Sequence, residues 1–140
     1  MFANTFAAAL FAIPLLASGV VAGCTRTYQV KEGDWCDTIS ASNNASTYQL
    51  ATVNSGINDL CGNLAVGWVL CLGLTSTDCT STYVVQSGDS VDNIATAHGL
   101  NTTVLLANNP QLVADSSNLY IGEVRRLARA LCVPDLASHR

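Results

Sequence analysis

Thr27-Tyr28-Gln29-Val30-Lys31-Glu32-Gly33-Asp34-Trp35-Cys36-Asp37-Thr38-Ile39 returns later in the chain as Thr82-Tyr83-Val84-Val85-Gln86-Ser87-Gly88-Asp89-Ser90-Val91-Asp92-Asn93-Ile94. The offset is 55 residues, and it runs without a gap from Cys24 and Cys79 to Val69 and Val124. Leu50 falls on Leu105, Asn54 on Asn109, Asn63-Leu64 on Asn118-Leu119, and Gly67 on Gly122. An internal repeat outranks other fold signals, because it makes the chain two copies of one unit. Length alone would give one domain for 140 residues. The repeat instead gives two modules of about 50 residues, a size that buries too little apolar surface to be safe without staples.

Each copy reads the same way. Tyr28-Gln29-Val30 and Tyr83-Val84-Val85 are β-formers and open the unit as short strands. Gly33 and Gly88 break the strand, and Asp34 and Asp89 sit where a helix N-cap belongs, with Asp37 and Asp92 three residues on. A short helix through Ile39 or Ile94 follows, then a polar loop, then a second helix over about Tyr48 to Asn54 and Thr103 to Asn109. Ser55-Gly56 and Pro110 stop it. Leu64 to Leu70 and Leu119 to Val124 read as closing strands. The order is strand, helix, helix, strand, and two strands alone are marginal unless they pack on the helix pair. Tyr28, Tyr83, Val30, Val85, Ile39, Ile94, Leu50 and Leu105 are the expected core.

Bulk properties narrow the compartment and the ligand. Residues 2–23 carry no charged side chain, and Phe6 to Leu16 is apolar apart from the break at Pro14. Residues 1–23 therefore read as a signal peptide cut near Ala22 or Gly23, although no Lys or Arg precedes the apolar run. An uncleaved anchor competes, but the run is short for a span. A lipobox, Val21-Ala22-Gly23-Cys24, is a third reading, and Cys79 as the counterpart of Cys24 argues against it. Export implies an oxidising compartment, where the six cysteines pair. A net charge of −4 with no basic patch disfavours nucleic acid and favours a neutral ligand. No membrane partner is expected after cleavage.

The pattern Tyr-x-Val-x-x-Gly-Asp, then Ile39, Leu50, Asn54 and Asn63-Leu64-x-x-Gly67, closely resembles the lysin motif, LysM, and recurs in both copies. The cysteine placement resembles the fungal secreted type. The resemblance implies an α+β fold: two tandem βααβ modules, each a two-stranded antiparallel sheet packed on a helix pair and stapled by disulfides. It divides the chain into the leader at 1–23, module 1 at 24–72, a linker at 73–78, module 2 at 79–134 and a tail at 135–140. It also implies binding of polymers that contain N-acetylglucosamine, chiefly chitin oligomers.

The cysteines fit that division. At the repeat offset Cys36 falls on Val91 and Cys61 on Ser116, so module 2 has lost both together. Joint loss points to a Cys36–Cys61 bridge. If the outer strands are antiparallel neighbours their ends meet, which gives Cys24–Cys71, and the same logic gives Cys79–Cys132. Between Val124 and Leu131-Cys132, residues 125–130 intervene as an insert that either bulges from the last strand or turns into a short helical extension, the plain reading being a helix or a basic surface patch. No Cys-x-x-Cys occurs and neither His98 nor His139 sits near a cysteine pair, so no metal is expected, and no cofactor.

By the resemblance, the sugar groove lies between the loop after the first strand and the loop after the second helix. In module 1 these are Gly33, Asp34 and Trp35, with Ser55, Gly56, Ile57 and Asn58. In module 2 they are Gly88, Asp89 and Ser90, with Pro110, Gln111, Leu112 and Val113. Gly33 and Gly88 also serve as turn residues, Asp34 and Asp89 as caps, and Ile57 and Leu112 as part core and part wall. Trp35 stands where the motif has Thr or Ser, either in the core or against a sugar face. Asn44-Ala45-Ser46 and Asn101-Thr102-Thr103 are N-glycosylation sequons in loops. A glycosidase needs two carboxylates across a cleft, and capping already explains the paired Asp residues. No Ser-His-Asp arrangement is visible. The expectation is a secreted, non-catalytic binder of chitin, an effector that sequesters chitin fragments or shields a wall. Two sites on one chain also permit a ligand-bridged dimer. The alternatives are a peptidoglycan-binding module, or a structural cell-wall protein with a decayed second module.

Overall fold

The computed structural model describes residues 22–58 and 60–127. The expected leader up to residue 21, Cys132, residues 128–130 of the expected insert and the expected tail lie outside the described residues. The elements are β1 (Cys24–Gln29), α1 (Cys36–Ser42), α2 (Thr47–Val53), β2 (Val69–Leu74), β3 (Thr82–Val84), α3 (Val91–Ala97), α4 (Thr102–Asn108) and β4 (Val124–Arg126). β1 pairs antiparallel with β2, and β3 with β4, so the architecture is α+β with one two-stranded sheet per module.

Local chemistry explains the helix starts. The Ser46 hydroxyl accepts from Gln49 N–H at 3.0 Å and Ser90 from Asn93 N–H at 3.2 Å. Asn101 caps α4 by accepting from Thr103 N–H at 2.7 Å. At Trp35, Thr38 substitutes for the missing cap: its hydroxyl accepts the Trp35 N–H at 3.1 Å and donates to the Trp35 carbonyl at 2.8 Å. The expected caps Asp34 and Asp89 lie one residue too early. Each carboxylate instead folds back onto the turn before it. Asp34 accepts from Lys31 N–H (2.7 Å) and Tyr28 O–H (2.9 Å), and Asp89 accepts from Gln86 N–H (2.7 Å) and Tyr83 O–H (2.8 Å). Asp37 and Asp92 tie the helices of a pair together, accepting from Thr47 at 2.7 Å and Thr102 at 3.4 Å.

The closing strands begin later than expected. Gly67 and Gly122, at φ of 89° and 91°, turn the chain just before β2 and β4. Their N–H groups donate to Val30 and Val85. Residues from Leu64 and Leu119 up to these glycines are therefore loop, not strand.

A second correction concerns the insert. Tyr83 pairs with Arg125 and Thr82 with Arg126, the register that Tyr28 with Leu70 and Thr27 with Cys71 follow in module 1. Arg125 and Arg126 thus occupy the strand positions of Leu70 and Cys71, and the repeat offset runs on through them. They form no surface patch, since Arg125 is 1% and Arg126 5% exposed. The expected linker is also partly structured: Gly73 belongs to β2, and Asp78 is bound by Arg26, Thr25 and Gln49 of module 1.

Each module has its own core. In the first, Val30, Ile39, Leu50, Leu70 and Leu72 pack with Cys36 and Cys61, and Tyr28, Ile57 and Leu64 cover them. In the second, Val85, Val91, Ile94, Leu105, Leu112 and Leu127 pack together under Tyr83 and Leu119. Two disulfides have both cysteines among the described residues: Cys24–Cys71 joins β1 to β2, and Cys36–Cys61 joins the start of α1 to the loop after α2. Cys79 is also bridged, while Cys132, its expected partner, lies outside the described residues.

Between strand and helix a single amide does double service. The Asn54 side chain donates to the carbonyl of Cys71 (2.7 Å) and accepts from its N–H (2.8 Å). Asn109 does the same to Arg126, at 3.0 and 2.9 Å. Each amide acts as one residue of a missing third strand, satisfying an edge that would otherwise be buried unpaired.

The modules are clasped. Val124 N–H of β4 donates to Thr47 Oγ1 at 3.1 Å, and Arg126 Nε donates to Ser46 Oγ at 3.1 Å. The Arg126 guanidinium lies 5.7 Å from the Tyr48 ring centre. β4 therefore docks against the start of α2.

Candidate carbohydrate-binding site

The first expected loop is a tight turn from Lys31 to Asp34, closed by Asp34 N–H to the Lys31 carbonyl (3.2 Å) and turned by Gly33 at φ 81°. Gly88 at φ 86° and Asp89 N–H to Gln86 (3.3 Å) repeat it. The Asp34 and Asp89 carboxylates raise the phenol pKa of Tyr28 and Tyr83, so both tyrosines stay protonated donors to them. Both carboxylates are thereby committed to holding the turn. Trp35 follows it and is 49% exposed, so it is not a core residue.

The second loop is held by a residue that sequence reading noted only as repeated. The Asn63 amide donates to the Gly56 carbonyl (2.6 Å) and accepts from Asn58 N–H (2.9 Å). Asn118 repeats this on Gln111 (2.5 Å) and Val113 (2.9 Å). The identity of Asn63 and Asn118 across the repeat was the available signal. Ser55, Gly56 and Asn58 are exposed, and Ile57 is half-buried against the core. In module 2 Pro110 and Val113 are exposed and Leu112 is buried. Both ends of the Gln111 amide are buried without a hydrogen-bond partner among the described residues.

The two loops of each module are tied at their bases. In module 1 the tie is the Cys36–Cys61 disulfide, with Cα atoms 6.0 Å apart. In module 2 the Ser116 hydroxyl accepts from Val91 N–H at 2.9 Å, at the same two positions. Cys61 and Ser116 also share a left-handed backbone, φ 55° and 64°.

A pocket of about 330 Å³ opens beside the module 1 tie. It is lined by Trp35, Cys36, Asp37, Thr47, Leu60 and Cys61, and by Tyr120 of module 2. Trp35 is the one expected binding residue in this lining. Burial pushes the Tyr120 phenol up to about 12, helped by the charges of Glu123 and Asp37, so it remains a neutral donor.

The LysM domain profile matches residues 28–73 and 83–124, the two segments that build these loops. The chain belongs to the LysM family. The LysM protein is 32% identical over 114 residues to the non-secreted LysM effector LCP1 of Gibberella moniliformis, covering 79% of this chain and 15% of that one. It is 25% identical to the secreted LysM effector LysM2 of Penicillium expansum, covering 75% of this chain and 33% of the relative. The chain thus spans a third or less of the length of these relatives. Among solved structures, the spore cortex-lytic enzyme SleL of Bacillus megaterium aligns over 77% of this chain and 23% of its own, with a TM-score of 0.39 and 19% identity.

Proposed function

We propose that this LysM protein is a non-catalytic carbohydrate-binding effector, acting outside the cell, whose ligands are chitin oligomers. The observation that carries the reading is the duplicated pair of loops, each held rigid by side-chain bonds to backbone, with Trp35 projecting beside the first pair. Rigid loops that present backbone groups and an aromatic face suit a neutral sugar, because little ordering entropy is lost on binding. Gly33, Trp35, Ser55, Gly56, Ile57 and Asn58 form the first proposed groove, and Gly88, Ser90, Pro110, Gln111, Leu112 and Val113 the second. Asp34 and Asp89 contribute by shaping the turns rather than by touching sugar.

Relatives from Penicillium expansum and Pochonia chlamydosporia carry the name secreted LysM effector, which supports the extracellular placement, while LCP1 is named non-secreted. The bridged cysteines suit an oxidising compartment. Asn44 and Asn101 are both exposed, which supports the two sequons as glycosylation acceptors in the secretory pathway.

Calorimetric titration of the protein with chitin oligomers, with cellulose oligomers as control, tests the reading. Saturable binding to the N-acetylated series alone supports it, and the stoichiometry reports whether one groove or both work. Binding that insoluble peptidoglycan competes away better than chitin would move the assignment to the bacterial wall polymer.

A further inference from the structure

The pocket beside the first groove is not built by one module. Tyr120 sits in the turn before β4, and that turn is fixed twice. Gly122 N–H donates to the Val85 carbonyl at 2.9 Å, and β4 itself is held on α2 through Val124 to Thr47 and Arg126 to Ser46. The clasp carries Tyr120 to the mouth of the module 1 pocket. The corresponding residue in module 1, at the repeat offset, is Ala65. An aromatic at this place is therefore a feature of one copy, and it faces the site of the other.

Three side chains leave large apolar surfaces open around this pocket: Trp35 at 49% exposed, Tyr120 at 52% and Leu60 at 79%. Exposed aromatics in a concave site with a polar edge mark a ligand site more often than a structural accident. The edge here is Asp37, which holds Thr47 through one carboxylate oxygen. At about 330 Å³ the volume lies at the lower end of the roughly 300–1,000 Å³ of small-molecule sites, so it takes a short unit rather than a long chain. Sugar rings offer flat C–H faces to aromatics and hydroxyls to carboxylates, which matches this lining.

The geometry points to Tyr120 as a binding residue that module 2 lends to module 1: with Trp35 and Leu60 it forms an extra subsite for one N-acetylated sugar ring beyond the first groove. This rests on the chitin-oligomer reading above. It makes the affinity of module 1 depend on oligomer length, because only a longer oligomer reaches from the groove to Tyr120.

The test is titration of the full chain, Tyr120→Ala and Tyr120→Phe with the chitin dimer, tetramer and hexamer. The parent gains affinity with length. Tyr120→Ala loses on the order of tenfold for the hexamer and little for the dimer, a loss of the size that aromatic contacts supply. Tyr120→Phe keeps the ring and stays near the parent. Trp35→Ala combined with Tyr120→Ala is less than additive if both residues hold the same ring. Leu60→Ala, at an exposed position that leaves the core intact, shows the same loss confined to long oligomers. Unchanged hexamer binding by Tyr120→Ala and Leu60→Ala, with the parent still binding, overturns the subsite and leaves the chitin reading standing. So does a loss equal at every length. A parent that binds no oligomer of any length defeats the chitin reading itself, and the subsite with it.

Discussion

Module 1 and module 2 solve the same construction problem with different parts. Both hold the first loop with an Asp that reaches back to a Tyr and a backbone N–H. Both hold the second with an Asn amide. Both finish the sheet with Asn54 or Asn109. Where they differ, a staple, a cap or a packing partner in one copy has been exchanged for another in the other. Cys36–Cys61 becomes Val91 with Ser116, Leu70-Cys71 becomes Arg125-Arg126, and Trp35 becomes Ser90. A side chain that holds two partners at once, as Asp34, Asn54 and Asn63 do, has few substitutes, because both positions are fixed by the fold. A staple or a packing partner can be exchanged, provided the volume or the bond is replaced.

The loop ties give the largest expected contrast. Removing the Cys36–Cys61 bridge by Cys36→Ser with Cys61→Ser frees a loop of 25 residues and should cost about 3–4 kcal/mol. Ser116→Ala removes one acceptor from Val91 N–H and should cost about 1 kcal/mol. Denaturant melts of the two variants measure both. Equal losses would mean that the bridge adds nothing over a hydrogen bond, and the view of module 1 as the more firmly stapled copy would fall.

Asn54→Ala and Asn109→Ala should be alike instead. Each strips two hydrogen bonds from a buried strand residue and leaves both of its backbone groups unpaired, for a loss of about 2–3 kcal/mol. A far milder effect at Asn109 would show that β4, docked on α2, no longer needs the amide, and would sharpen the distinction between the copies.

The repeat made much of this legible. Strand, helix, helix, strand could be read from Gly33, Ile39, Leu50 and their partners, since β-formers, breakers and apolar spacing are local signals. The joint loss of Cys36 and Cys61 at Val91 and Ser116 singled out a bridge that depends on distant residues. Other features depended on contacts that no local pattern encodes. Asp34 and Asp89 have cap chemistry one residue early, and only the position of Tyr28 and Tyr83 across the turn decides where the carboxylates point. Arg125 and Arg126 look like surface residues by charge. Their burial follows from the docking of β4 on α2 and from Glu123, which pairs with Arg125. Tyr120 carried no signal, because its place in the pocket requires both modules.

Binding should separate the copies less than stability does. Trp35→Ala should weaken chitin-oligomer binding by about tenfold, the removal of an exposed aromatic from the rim of the site. Ser90→Ala removes no comparable surface and should weaken binding by less than about twofold; its hydroxyl caps α3 by accepting from Asn93 N–H, so stability falls by about 1 kcal/mol instead. A Trp35→Ala loss as small as that of Ser90→Ala would mean that the groove contacts are made through backbone in both copies, and that the Trp35 ring is a bystander.

Acid and neutral pH should act on two different carboxyl groups, Asp78 bound to α2 through Gln49 and Glu123 beside β4. In module 1 the Arg26 guanidinium, with Thr25 and Gln49, holds the Asp78 carboxyl down at about 2 from an ordinary 3.8. The unfolded chain then binds the proton more readily, so this stability is complete above about pH 4 and is lost as pH falls toward 2. Module 2 has Ser81 at the position of Arg26. There burial pushes Glu123 up to about 7 against the opposing pull of Arg125, with Asp37 adding to the rise. The folded state now holds the proton more tightly, so its contribution is full below about pH 4.5 and is lost as pH rises to about 7. Asp78→Asn should flatten only the acid limb of a stability profile, by about 1 kcal/mol once solvent screening at the partly exposed Arg26 is allowed for. Glu123→Gln should flatten only the fall between pH 4.5 and 7. If one substitution altered both limbs, the clasp between α2 and β4 would be coupling the two modules into a single titrating and unfolding unit.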